Sequence, residues 1–146
     1  MKKITLLLGI TLYTLCSFAA PIVVNEKVLK VFHQTFKNPE NVVWTDAEHS
    51  YMVQFTLHGI RNSVKYDEEG NFLSAIRYYQ SDLLPLDIHS KLKKRYPEKT
   101  IFGITEQTIG DEVYYYIKLE DQKYWTTVKI DNYRNLQVTE KYQKAD

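Results

Sequence analysis

The side chains best suited to acid–base or metal chemistry in this sequence are its four histidines, His33, His49, His58 and His89. None stands in a spacing such as H-E-x-x-H, which sets two imidazoles on one helix face to hold zinc. They read instead as surface and helix-flank residues. No G-x-S-x-G elbow exposes a serine nucleophile. A carboxylate pair such as Asp67 and Glu69 could serve as general acid and base, but both fall in the acidic run 67–71 between two strand-like segments, where a hairpin turn accounts for them. The similar run 131–135 also lacks the alternating oxygen ligands and closing glutamate of a calcium loop, and it contains Tyr133 and Arg134. The expectation is a chain that is not an enzyme, with no metal and no cofactor.

The N-terminus has the pattern of a secretory signal. Lys2 and Lys3 provide the positive end, residues 4–15 the apolar stretch, and Ser17-Phe18-Ala19 the small residues of a cleavage site, which places the cut after Ala19. The apolar stretch is shorter than the roughly 20 residues needed to span a bilayer. The only cysteine, Cys16, lies within it. A mature chain of residues 20–146 therefore has no thiol for a disulfide, a nucleophile or a metal. Its length suits one compact domain. Losing Lys2 and Lys3 from nineteen basic residues leaves 17 against 18 acidic ones, a net charge of −1. That balance gives no overall footprint for nucleic acid.

Hydrophobic periodicity then sets out the elements. Asn25 is placed to cap a helix through Phe36, with Val28, Leu29, Val31, Phe32 and Phe36 as its apolar stripe and Asn38-Pro39 as its stop. Strands are predicted over 42–45, 51–57, 60–66 and 72–79, with turns at His58-Gly59 and 67–71. A second helix follows Leu84-Pro85, with Ile88, Leu92 and Tyr96 as its stripe and Pro97 ending it. Further strands are predicted over 100–105, 113–120, 124–131 and 136–142.

The two series correspond. At a shift of 64, residues 51–78 lie over 115–142 and align Tyr51/Tyr115, Val64/Val128, Lys65/Lys129, Asp67/Asp131, Asn71/Asn135 and Tyr78/Tyr142. The helices align at a shift of 60, which predicts four extra residues in a 106–110 loop. Repetition of this length sets the architecture. The predicted fold is α+β: two tandem helix-plus-four-strand antiparallel meander repeats, about 25–79 and 85–142, forming one extended sheet with two helices packed on one face.

The order of short motifs resembles the PepSY-like, β-lactamase-inhibitor-like secreted proteins of Bacteroidetes. The carriers are Val42-Val43-Trp44, Tyr51-Met52-Val53-Gln54-Phe55, the run Val64-Lys65-Tyr66-Asp67-Glu68-Glu69-Gly70, and Leu84-Pro85-Leu86-Asp87-Ile88 opening the second copy. One departure is Arg134, which stands where the first copy has Gly70. The resemblance implies this fold and a periplasmic or secreted location.

With both helices on one side, period-two alternation assigns the core. In the first unit it predicts Tyr51, Val53, Phe55, Val64, Tyr66, Phe72 and Ile76, and in the second Tyr115, Ile117, Leu119, Val128, Ile130, Leu136 and Val138. The opposite face should carry Met52, Gln54, Arg61, Ser63, Lys65, Leu73, Arg77, Tyr79, Tyr114, Tyr116, Lys118, Trp125, Thr127, Lys129 and Lys141. Tyrosine, tryptophan and arginine dominate protein–protein hot spots. The expected activity is therefore non-catalytic binding of a protein or peptide, as an inhibitor or regulator of an envelope enzyme. Trp125, Tyr114 and Tyr116 would be the contact anchors, with Arg61, Lys65, Arg77, Lys118 and Lys129 as steering charges. The alternative is a small-ligand or anionic-glycan binder using the same face. A third reading of that face is lysines and arginines covering tyrosines to keep a bare sheet soluble.

Overall fold

A computed structural model describes residues 22–145. The predicted signal sequence and its cut after Ala19 lie outside the described residues. The chain runs α1 (Glu26–Thr35), β1 (Glu40–Asp46), β2 (Ser50–Leu57), β3 (Ile60–Asp67) and β4 (Phe72–Tyr79). A 3-10 turn at Ser81–Leu83 leads into α2 (Leu86–Arg95), β5 (Thr100–Ile109), β6 (Glu112–Glu120), β7 (Tyr124–Ile130) and β8 (Leu136–Gln143). The eight strands form one sheet in chain order, each antiparallel to the next. Among the described residues no helix is long and apolar enough to cross a membrane.

Local chemistry explains the boundaries. The Asn25 side chain accepts the Lys27 backbone N–H at 2.9 Å and so caps α1. His58 and Gly59 both take positive φ, 51° and 77°, between paired Leu57 and Ile60. That is the two-residue turn whose twist matches a hairpin, and it makes His58 a turn residue. The turns at 67–71 and 131–135 share one set of bonds. In each, the aspartate Oδ1 accepts the backbone N–H of the asparagine four residues on, and its Oδ2 accepts that asparagine's Nδ2. Gly70 at φ 87° presses against α1, with the Lys27 carbonyl oxygen 3.3 Å from where a Cβ would sit. Arg134, at φ 64°, reaches Asp87 of α2 at 2.5 Å.

Two clusters fill the helix side. Val28 and Phe32 of α1 pack on Val53, Phe55, Val64 and Tyr66. Ile88 and Leu92 of α2 pack on Ile104, Tyr115, Ile117, Leu119, Val128 and Ile130. The predicted core is therefore largely in place, with corrections where a strand is bulged. In β4, Tyr66 pairs with Phe72 but Lys65 pairs with Ser74, leaving an extra residue. The pleat reverses from that point. Ala75, Arg77 and Tyr79 turn to the helix side, and Ile76 turns away from it. This overturns the placement of Arg77 and Tyr79 on the open face and of Ile76 in the core. A bulge in β8 does the same to Lys141, which pairs with buried Thr126. Phe72 and Val138 pair with buried Tyr66 and Val128 on the helix side but are themselves 43% and 46% exposed. The four extra residues are not a loop: 106–109 belong to β5, which is long because it pairs with β4 and β6 at once.

Gly70→Ala is expected to cost about 2 kcal/mol in urea unfolding, from the positive φ plus contact with α1. Gly110→Ala, at φ 55° with open space around it, should cost only about 1 kcal/mol. The Lys99 ammonium, and then the backbone N–H groups of Lys123 and Tyr124, lower the Asp121 carboxyl to about 2. Its stabilising contribution is fully present above the ordinary carboxylate pKa and is lost as pH falls from there through the lowered value of about 2. An Asp121→Asn variant should therefore be less stable than the parent near neutrality. Acid-unfolding curves of the two should converge as pH drops from about 4 to about 2.

Candidate binding face

No described element covers the second face of the sheet, so each strand contributes every other side chain to it. On β6 these are Tyr114, Tyr116 and Lys118, because Tyr115, Ile117 and Leu119 are buried. On β7 they are Trp125, Thr127 and Lys129, opposite buried Thr126, Val128 and Ile130. On β3 they are Arg61, Ser63 and Lys65. Register sets Lys129 beside Tyr116 and Thr127 beside Lys118.

The Lys129 ammonium stands 4.1 Å from the centroid of the Tyr114 ring and 5.6 Å from that of Tyr116. Lys118 is 4.7 Å from Trp125 and 5.8 Å from Phe102. At these distances the negative ring face attracts the cation. Phe102 and Trp125 meet edge-to-face, with centroids 4.8 Å apart and planes at 78°. Lys144 approaches the same indole at 4.5 Å while also pairing with Glu120 at 2.9 Å. The Tyr114 hydroxyl donates to Glu112 at 2.5 Å, and that bond raises its pKa. Among the described residues, none of Arg61, Lys65, Lys118 or Lys129 forms an ion pair.

Phe102 is absent from the predicted set, although it is 54% exposed at the centre of this group. Ile101 pairs with Leu119 and Gly103 with Lys118, which leaves Phe102 as the extra residue of a bulge turned to the open face. The signal in the sequence was the glycine beside it, since a glycine within a strand often marks a bulge.

The open face carries a cleft across the middle of the sheet. A cleft of about 630 Å³ runs between Arg61 and Tyr78 on one wall and Phe102, Tyr116 and Lys118 on the other, with Glu140 also lining it. Arg61 and Lys118 sit on strands three spacings apart, about 14 Å. Trp125, Tyr116, Lys118 and Lys129 are thus gathered with Phe102 on the second half. Arg61 faces them across the cleft, and Lys65 lies further along β3. The histidines are not brought together, and no described group of three or more His, Cys, Asp or Glu residues could hold a metal.

Arg77 belongs to a different cluster, on the helix side. Its guanidinium donates to Glu106 at 3.0 Å, and the Tyr79 hydroxyl donates to the other oxygen of that carboxylate at 2.5 Å. Glu106 is only 13% exposed. Burial first, and then the Glu106 carboxylate, push the Tyr79 hydroxyl well above the usual tyrosine range, and Tyr115 is raised for the same reasons. This network joins β4 to β5.

The open-faced α+β architecture can be compared with known proteins. No family model matches the sequence, and no curated protein matches it. Solved structures do share the fold. A BLIP-like protein from Bacteroides fragilis superposes with a TM-score of 0.65 at 13% identity, over 87% of this chain and 92% of that one. A DUF2874 family protein from Bacteroides uniformis gives 0.60 at 10% identity, over 83% and 90%. A candidate periplasmic protein from Bacteroides eggerthii gives 0.60 at 9%, over 83% and 89%. All three are Bacteroides proteins and one is BLIP-like, which matches the family that the motif order resembles, and at such identities the likeness is one of fold.

Glu106→Ala would leave a half-buried guanidinium and a buried hydroxyl without their acceptor. It is expected to cost about 2–3 kcal/mol in chemical denaturation. A cost below about 0.5 kcal/mol would mean that Arg77 is held no more tightly than a surface cation.

Proposed function

We propose that this chain is a non-catalytic binding module of the periplasm or the extracellular space. It engages a protein or peptide through the open face of the sheet and acts as an inhibitor or regulator of an envelope enzyme. We also read the chain as two tandem helix-and-meander units within one domain, residues 20–146, released by a cut after Ala19. The matching turns at 67–71 and 131–135 support the tandem reading.

The observation that carries the proposal is the set of unpaired lysine ammonium groups resting on half-exposed aromatic rings, Lys118 on Trp125 and Phe102 and Lys129 on Tyr114 and Tyr116. Aromatic side chains with few free rotors, set beside cations along a cleft, suit a specific macromolecular interface. The BLIP-like neighbour is consistent with this reading. In these terms Trp125, Tyr114 and Tyr116 are the contact residues. Arg61, Lys65, Lys118 and Lys129 set the approach of the partner. Arg77 leaves that group, since it faces the helices.

The test is affinity capture from native envelope extract with the secreted protein and a Trp125→Ala/Tyr116→Ala variant. A discrete protein held by the parent and lost by the variant is the expected result. Equal recovery with both would remove the face assignment. Retention of anionic polysaccharide instead, falling steeply with salt, would favour the glycan reading.

A further inference from the structure

We infer that the cleft across the middle of the sheet receives a carboxylate-bearing segment of the partner polypeptide. The inference rests on the reading that the open face binds a polypeptide, and it adds the chemistry by which that polypeptide is recognised.

Charge gives the first argument. Arg61 and Lys118 line opposite walls of the cleft, and neither has a carboxylate partner among the described residues. The cleft's one lining carboxylate, Glu140, accepts from the Thr127 hydroxyl at 3.1 Å. A cationic segment would meet two unneutralised charges there. An anionic one would supply what both lack, with charge-assisted hydrogen bonds stronger than neutral ones.

The placement of Lys118 gives the second. Its ammonium is held against two rings, so less side-chain freedom remains to be lost when a carboxylate arrives. The rings polarise towards the cation on one side while the other side stays open to a ligand.

The aromatic rings also favour a peptide over a sugar. Two ammonium groups, from Lys118 and Lys144, lie over the Trp125 indole, and Lys129 lies over Tyr114 and Tyr116. A pyranose needs a bare ring face to stack on, whereas a carboxylate meets the cations directly. Phe102 and Tyr78 remain as apolar contacts on the two walls, 54% and 44% exposed. A cleft of about 630 Å³ holds a segment of a few residues. The occupant is therefore a loop or strand with an aspartate or glutamate next to a bulky apolar side chain.

The experiment is a random-peptide phage selection on protein purified after secretion of the full chain, counter-selected on the Trp125→Ala/Tyr116→Ala variant. Recovered peptides should be enriched in Asp or Glu beside Leu, Phe or Trp relative to the input library. Their synthetic forms should bind about tenfold more weakly to Lys118→Gln or Arg61→Gln. Lys94→Gln, on the exposed flank of α2, should leave binding unchanged, and replacing the peptide's acids by amides should abolish it. Peptides that need the aromatic residues but carry no acidic enrichment would overturn the carboxylate inference and leave the polypeptide reading standing. No selected peptide, with or without retention of polygalacturonate on the same face, would overturn both.

Discussion

Six consecutive residue pairs between β4 and β5, from Ser74 with Ile109 to Tyr79 with Ile104, make one sheet out of two halves. The helix-side clusters share no buried member: α1 closes over β2 and β3 with Ala75 of β4, and α2 over β5–β7 with Tyr79 of β4. Continuity across the middle rests on this backbone ladder, on Tyr79 and Ile60, which pack from β4 and β3 into the α2 cluster, and on Glu106, which holds Arg77 and Tyr79 from the neighbouring strand. The cleft straddles the same seam, with Arg61 and Tyr78 before it and Phe102 and Lys118 after it.

Covering only one face creates a second problem, because bare strands tend to pair or stack with other chains. The edges are guarded by local means. β1 carries Glu40 and Asp46 and a register irregularity at Asn41, whose φ is 53°. β8 carries Glu140 and Lys141 beside its bulge. On the open face lysines lie over the aromatic rings. Those lysines would keep a bare sheet soluble and also present it as a cationic surface, so a single arrangement serves both ends. The Lys118–Trp125–Phe102 group goes further than solubility requires, since a bulge is used to bring an additional exposed phenylalanine onto the face.

The strength of hydrophobic alternation made most of this legible in the sequence. Tyr115, Ile117 and Leu119, and Val128 and Ile130, read directly as core, which placed Tyr114, Tyr116, Lys118 and Lys129 on the other side. The Asn25 cap and the His58-Gly59 turn were equally direct. The bulges in β4 and β8 were not legible. One extra residue near Leu73 reverses everything downstream on β4, and Arg77 moves from the open face to a half-buried pair with Glu106 on the helix side. Composition barely registers such an insertion, because Arg77 and Tyr79 are amphipathic enough to suit either side. Phe102 was lost in the same way, although Gly103 beside it marked the place. The length of β5 also escaped, since its residues 106–109 are polar enough to read as loop while the neighbouring strands supply all their hydrogen-bond partners.

The central claim, that the open sheet face is the contact surface, is tested most directly by site-specific photo-crosslinking in intact cells. A photoreactive side chain would be placed at position 116, on the open face, or at position 94, on the exposed flank of α2. The account predicts a discrete protein adduct from position 116 and none from position 94. An adduct from position 94 alone, or from neither position, would contradict it.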